Sequence, residues 1–507
     1  MADPKALSNK FKNVKYKNDA IRGRLRESLA EGIYPDVDSS FHVLRELVQN
    51  GADSIKDFRE EEDPYFEGEI RIRISSDSIS VYDTGSGMGL DKLREVPAFA
   101  ASDKDPALRI GFRGIGFWAT SALATEVIII SKRLGDKHKN ALRIDIASWK
   151  KDENQLSVLE LLNKYVYEDE PSTDDTDAHY TMIILGGLTE AGKHLVTHIS
   201  DARKYLRTTL PLEFETSKEF QRRERIRELI LENVPDKERS TFRVFLNEDE
   251  LFKPGYHALQ EILFDEITKL IPGRKPRTEI IGWYWAALHK EPEKIKDPLV
   301  KGIRFRVKGI AIGDENLLRN LLKTDKETPD WYYGEIYVLD PDIKPDSSRT
   351  HFEGNQAWQD FIDALTGSGG ITNKLKNRRR KFSDAERARI RIPELIAEVD
   401  VVTRRTGPLN TEQIQEFKKE LQKRSKDATN PELKINAQQA TKKLDKALSS
   451  RSSKSSKAKG KPRPQSALDR FYLKVRTILA TNVSNEALRE KITKMVDKAF
   501  RETQQSK

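Results

Sequence analysis

Residues 41–53 read FHVLRELVQNGAD, and their spacing decides how the rest of the chain is read. Glu46 and Asn50 are four apart and Asp53 follows three later, so on a helix the three polar side chains stack along one face. Leu44, Leu47 and Val48 give the same helix an apolar stripe to bury. A half-buried helix that lines up two acids and an amide can hold a metal ion and a water. A surface helix with ordinary polar residues has the same pattern, so the neighbouring motifs must decide.

Two glycine-rich stretches follow. VYDTGSGMGL (81–90) comes after RIRISSDSISVYD, in which Ile70, Ile72, Ile74, Ile79 and Val81 alternate as two strands around a Ser-Asp turn. Asp83 then ends a strand, with Gly85, Gly87 and Gly89 behind it. Glycine at every second position permits φ > 0 and close approach of a ligand to the backbone. A carboxylate held there suits an exocyclic amine such as adenine's, although a tight turn also explains DxGxG. RIGFRGIGFWATSALA (109–124) places Gly111, Gly114 and Gly116 before a helix-competent stretch of small residues, followed by the strand candidate TEVIIISKR. Free N–H groups at such a start suit phosphate. The dinucleotide fingerprint, by contrast, sits after the first strand of a βαβ unit. An acid/amide helix, then DxGxG, then GxxGxG is a far more specific order than any one piece.

Together these motifs resemble the GHKL superfamily of ATPases: gyrase B, the ninety-kilodalton heat-shock chaperones, histidine kinases and MutL. ELVQNGAD (46–53) is similar to the family's ExxxNxxD box, DTGSGMG (83–89) to its adenine box and GFRGIGF (111–117) to its lid-end glycine box. The resemblance implies a Bergerat α/β sandwich that binds ATP and Mg²⁺. It implies Glu46 as activator of the attacking water, Asn50 as the Mg²⁺ ligand and Asp83 as partner of the adenine amine. It implies that the backbone at Gly114 and Gly116 wraps the phosphates, and that Thr181, in HYTMIIL (179–185), lies beside adenine. Asp53, Gly85, Gly87, Met88, Ser102, Lys104, Gly111, Arg113, Ile115 and Phe117 complete the implied nucleotide contacts. Residues 90–110 would be the ATP lid. Arg113 in GFRG resembles MutL, whereas GFW with small residues after it resembles the chaperones.

The length of 507 residues calls for two or three domains. The chain lacks a run of eighteen apolar residues and an apolar N-terminal signal core, so neither a membrane span nor secretion is expected, and a cytoplasmic home with nucleoid or nuclear association fits. Zero cysteines exclude disulfides and thiolate chemistry. Eight histidines form no metal motif; His194 and His198 are four apart without a third ligand nearby.

The expected architecture is α+β. An ATP-binding domain (1–205) would include a charged helix at 14–30, read either as an exchange element capping a partner subunit or as packed on its own domain. A transducer-like α/β domain (206–370) would draw strands from 241–247, 278–288, 302–313 and 331–340, with a helix at 315–322. The stretch 206–214 would be the hinge. Within that domain PDIKPDSSRTHFEGN (341–355) resembles a loop whose arginine reaches back to the γ-phosphate, making Arg349 the candidate phosphate sensor and Lys308 the alternative.

Charge changes sign near residue 370: residues 371–507 hold 35 Lys/Arg against 16 Asp/Glu, and residues 1–370 hold 55 against 65. The basic portion reads as a basic helical or coiled-coil segment (371–448), in which 410–428 and 431–448 suggest a hairpin or short coiled coil, then a Ser/Lys/Pro linker (449–466) and a small helical unit (467–507). Such a tail suits non-specific nucleic acid through phosphate neutralisation, and equally an acidic protein partner. A homodimer that closes on nucleotide and acts on a protein client, as in the chaperone branch, is the leading expectation. A DNA or chromatin clamp similar to MutL or the MORC proteins is the other. Neither nuclease nor strand-cleavage motifs are present.

Overall fold

The computed structural model describes residues 11–13, 40–97, 116–152, 158–169, 171–217, 220–239, 242–271, 277–346, 348–404 and 411–452, with scattered residues between 471 and 499. The expected helix at 14–30, the linker at 449–466 and most of the lid and of the 467–507 unit lie outside these residues. So do Ser102, Lys104, Gly111, Arg113, Gly114 and Ile115. Contacts divide the chain into two units, 1–373 and 374–507.

The first unit opens with strand β1 (Phe11–Asn13) and the long helix α1 (Ser40–Glu61). Hairpin β2 (Glu69–Ile74) and β3 (Ser78–Asp83) follows, then α2 (Leu90–Glu95), a 3-10 segment (Gly116–Ala122), β4 (Ala124–Lys132) and β5 (His138–Asp145). Next come α3 (Ile146–Lys151), α4 (Val158–Tyr165), β6 (Val166–Asp169), β7 (Ser172–Thr173) and β8 (Tyr180–Leu188). Helices α5 (Glu190–Thr197), α6 (Ile199–Thr209), α7 (Arg223–Asn233) and α8 (Asp236–Arg239) lead to β9 (Arg243–Leu246) and β10 (Asp249–Glu250).

The main path of the resulting sheet runs β1-β6-β5-β4-β8-β3-β2-β9-β10, with β7 beside β5. All its neighbours are antiparallel except β2 and β9. One face is apolar in period 2: Val81, Ile183, Ile129 and Leu142 form one cross-strand row, and Ile79, Leu185, Val127 and Ile144 the next. Val43, Leu44, Leu47, Val48 and Ile55 of α1 join the same buried core as these rows. With about 1.5–3 kcal/mol for each such side chain fully buried, this stripe fixes which side of α1 faces inward.

Two expectations change here. The stretch 116–122 forms a short 3-10 segment, not an α-helix, because the β-branched run starting at Thr125 claims the chain for β4 within two residues. The strand expected at 241–247 also does not join the second sheet among the described residues. This strand, β9, lies parallel to β2, with Ile70 paired to Val244 and Ile72 to Leu246. Val244 and Leu246 are buried in the core that α1 covers.

The second sheet comprises β11 (Leu259–Ile271), β12 (Arg277–His289), β13 (Gly302–Val307), β14 (Ile310–Ile312) and β15 (Tyr332–Val338), with α9 (Leu317–Leu321) before β15 and α10 (Gln356–Thr366) after it. Its order is β11-β12-β15-β13-β14, with β13 parallel to β15. The stretch 302–313 is a hairpin closed by Lys308 and Gly309, both at positive φ (50° and 81°), as a two-residue type I′ turn demands.

Helix α11 (Ile371–Arg404) is followed by α12 (Thr411–Asp427) and α13 (Pro431–Ser452). In the second unit Ile392, Leu395, Val399, Phe417, Leu421, Ala437 and Leu444 share one core, so α11 packs with the two helices expected at 410–428 and 431–448. Arg391 meets Glu394, Glu398 and Glu420 in a cross-helix cluster. None of the helices among the described residues is long and apolar enough to cross a membrane.

Candidate functional site

Where the apolar rows of the first sheet end, the next row is polar. Register places Asp83 of β3 beside Thr181 of β8, Thr181 beside Ser131 of β4, and Ser131 beside Asn140 of β5. Period 2 puts this row on the core face, and all four residues are at least nine-tenths buried. Ser131 Oγ lies 2.9 Å from Thr181 Oγ1 and accepts the Met88 N–H at 2.8 Å. The row thus supports the glycine loop as well as lining the face beneath it.

The glycine loop lies directly against α1. Gly85 donates its N–H to Asp83 Oδ1 at 2.9 Å, and its carbonyl accepts from His179 Nδ1 at 2.8 Å, which fixes the ring proton on Nδ1. His179 stacks on Phe58 of α1 with centroids 3.9 Å apart. A Cβ on Gly85 would come within 2.1 Å of Ser54 Oγ, and one on Gly51 within 2.9 Å of Asp83 Cβ, so helix and loop approach backbone to backbone. Gly87, at φ +64°, faces the Lys132 carbonyl, which would sit 1.8 Å from any Cβ there. Only glycine satisfies that position.

On the neighbouring turns of α1, Glu46 and Asp53 are buried and Asn50 is half-buried. Two guanidinium groups converge on Glu46 Oε1: Arg45 Nη2 at 3.1 Å and Arg349 Nε at 3.2 Å. Arg45 also donates to Tyr205 Oη at 3.0 Å and to the Ser348 carbonyl at 3.2 Å. Burial pushes the Tyr205 phenol up to about 12, so it stays protonated at neutral pH. Arg349 sits in a loop bracketed by the Pro345–Phe352 bridge and adopts φ +56°. Its carbonyl accepts from Gly313, just past β14, at 2.9 Å.

Lys308 approaches the same helix. It is buried, and desolvation lowers its amine to about 8; Glu238 and Asp53 act to raise it, and Lys56 and Arg349 to lower it further. Its backbone N–H donates to Glu238 Oε2 at 2.8 Å. Both candidate phosphate sensors therefore occupy left-handed backbone, which costs of order 1–3 kcal/mol for a non-glycine residue and persists only where the surroundings enforce it.

The residues present fit an adenine nucleotide with Mg²⁺. Asp83 and Thr181 offer the carboxylate and hydroxyl that an adenine edge requires. No group of three or more acidic, histidine or cysteine side chains among the described residues is arranged as a metal cage. Mg²⁺ characteristically takes one or two protein oxygens and completes its shell with phosphate and water, so the lone amide of Asn50 suffices. Of the glycine box, Gly116 and Phe117 are described only in backbone. Arg45, Ser131, Asn140 and His179 were not identified from sequence. For Ser131 and Asn140 the signal is the strand register, which pairs residues far apart in the chain.

Comparison with known proteins covers the same stretch of chain. A family described as histidine kinase-, DNA gyrase B-, and HSP90-like ATPase matches residues 38–181. Over 140 residues the chain is 31% identical to the chaperone protein HtpG of Nitrobacter winogradskyi, a match covering 23% of this chain and 22% of that protein. The chain thus spans about a fifth of the length of that relative. The matched residues end on β8 at Thr181, and the polar row, the glycine loop and α1 all lie within them: residues 38–181 are a GHKL-type ATPase domain.

Proposed function

We propose that this chain hydrolyses ATP and uses the nucleotide to set the geometry between its two sheets. The observation that carries this reading is the convergence of Arg349, from beyond the second sheet, on Glu46 of the catalytic helix. Glu46 is the general base for the attacking water, and Asn50 holds Mg²⁺, which neutralises phosphate charge when bound. Asp83 and Thr181 select adenine. Arg349 and Lys308 supply positive charge toward the γ-phosphate end, so that ATP and ADP are distinguished by a contact that spans both sheets. Asp53, Gly85, Gly87, Met88 and the glycine box with its preceding lid complete the nucleotide site.

The mechanical output is chaperone-like in our leading reading, with two protomers closing on a client as ATP binds. The basic composition of 371–507 favours a second reading, a clamp on nucleic acid. One assay separates them: steady-state ATP hydrolysis with and without duplex DNA at low and moderate salt, beside suppression of client aggregation. Salt-sensitive stimulation by DNA that vanishes on deleting 371–507 establishes the clamp. Protection of a client without any response to DNA establishes the chaperone. Absence of Mg²⁺-dependent hydrolysis under every condition overturns the ATPase reading.

A further inference from the structure

Arg306 lies on β13, two residues before Lys308, and is only 2% exposed. Its guanidinium is bound on every side. Nε donates to Glu335 Oε1 at 2.8 Å, and Nη2 lies 2.8 Å from the same oxygen. Nη2 also donates to the Thr208 carbonyl at 2.9 Å; Nη1 donates to Thr209 at 3.0 Å, Leu210 at 3.3 Å and Gly309 at 3.1 Å. Three of those carbonyls are at the C-terminal end of α6, where helix geometry leaves them without intrahelical partners. The fourth belongs to the turn that carries Lys308.

Helix α6 connects this point to the catalytic acid, because its Tyr205 receives Arg45, which in turn holds Glu46. Behind Arg306 the charge is balanced in the core. Glu335 also meets Lys253 at 3.1 Å, Trp285 Nε1 at 3.2 Å and Tyr337 Oη at 2.7 Å. Burial works against the Glu335 carboxylate, yet Arg306 and Lys253 hold it down at about 2. A planar five-donor fork is what this junction requires, since an ammonium cannot reach the Glu335 carboxylate, the helix end and the turn together.

We propose that Arg306 is a positioning residue for the nucleotide site: by tying the Lys308–Gly309 turn to the C-terminal carbonyls of α6 and to Glu335, it holds Lys308 at the polar face of α1. The inference deepens the proposed function, in which Lys308 supplies charge toward phosphate. Its geometric part stands without that reading.

The test is Arg306→Lys in the full chain, with two readings. The first is the rate at which an amine-acylating reagent modifies Lys308 at pH 8, followed by mass spectrometry without nucleotide. Released from the turn, Lys308 returns toward the ordinary lysine range of about 10.4, so its unprotonated fraction at pH 8 and its rate per unprotonated amine move in separable ways across a pH series. We expect the midpoint of that series to rise by at least one pH unit. The second reading is the kinetic split, with KM for ATP rising several-fold more than kcat falls, and ADP affinity within two-fold of the parent. An unmoved Lys308 midpoint overturns the positioning role. A moved midpoint with unchanged KM sustains it and refutes Lys308 as a phosphate contact. Should Arg306→Lys fail to fold, replacing Lys253, Arg306 and Glu335 together by Met, Met and Leu removes the buried charges as a set, a change that cores often tolerate, and the same two readings decide.

Discussion

Arg349 and Glu46, 303 positions apart in sequence, meet through Nε and Oε1 at 3.2 Å, both buried. Arg349 thus has a carboxylate partner in the structure described, and a γ-phosphate would compete for it. Arg349→Ala should bind ADP nearly normally while losing ATP-dependent compaction and most turnover. Small-angle scattering with ADP and with a non-hydrolysable ATP analogue reads this directly. Identical wild-type profiles in the two nucleotides would rule out the switch.

Glu46→Gln removes the proton acceptor while keeping the size and one oxygen that can accept from Arg45 and Arg349. Nucleotide affinity should change little, and turnover should fall by about 10²–10⁴-fold, the usual contribution of a positioned base. Unaltered hydrolysis in this variant would assign the base elsewhere.

Asn50→Ala should fail one step earlier, with Mg²⁺-dependent nucleotide binding lost together with hydrolysis. Titration with and without Mg²⁺ checks it, since loss of a Mg²⁺ ligand removes the metal-dependent increment and leaves any metal-free affinity in place. Asp83→Asn should instead weaken adenine nucleotides selectively, by roughly the 1.5–3 kcal/mol typical of a hydrogen bond to a charged group. Equal weakening of ATP and GTP would contradict the adenine role.

Ser131→Ala leaves the Met88 N–H and the Tyr180 carbonyl without their Ser131 partner. Chemical denaturation should show a loss of about 1–3 kcal/mol, the cost of an unpaired buried polar group, and nucleotide affinity should fall with it because Met88 belongs to the glycine loop.

The lowered Lys308 amine makes a prediction about pH. Its folded value, about 8, lies below the ordinary 10.5, so between those values the unfolded chain binds more protons. Stability from this group therefore rises with pH across that window and is flat below it. Lys253, also lowered to about 8 by burial against the pull of Glu335, acts in the same direction. Lys308→Met should flatten part of the rise between pH 8 and 10 in urea melts compared with the parent; parallel curves would place Lys308 in solvent.

Much of the proposed site was legible because it is local. Glu46, Asn50 and Asp53 lie one helical turn apart, and Asp83 closes an alternating strand, so their periods reveal them. Arg349 was reached only through resemblance, since nothing in a polar loop announces a partner 303 residues away. Arg45 was overlooked because it lies beside the acid in sequence and off the polar stripe. Ser131 and Asn140 join the row of Asp83 and Thr181 only once β3, β8, β4 and β5 are in register. The assignment of 241–247 to the second sheet failed for a related reason, as a four-residue strand with three buried residues carries no mark of which sheet receives it.

That last strand bears on the order in which the molecule is made. The edge of β2 that β9 covers stays open until the chain has been synthesised past residue 246, and Glu46 meets Arg349 only a hundred residues later. A ribosome will therefore have released α1, the glycine loop and β8 long before Arg349 can reach Glu46. The nascent chain passes through a stage in which the row from Asp83 to Asn140 can assemble while Glu46 has only Arg45 of the two arginines that meet it here, so under the proposed function it would bind ATP before it could respond to it.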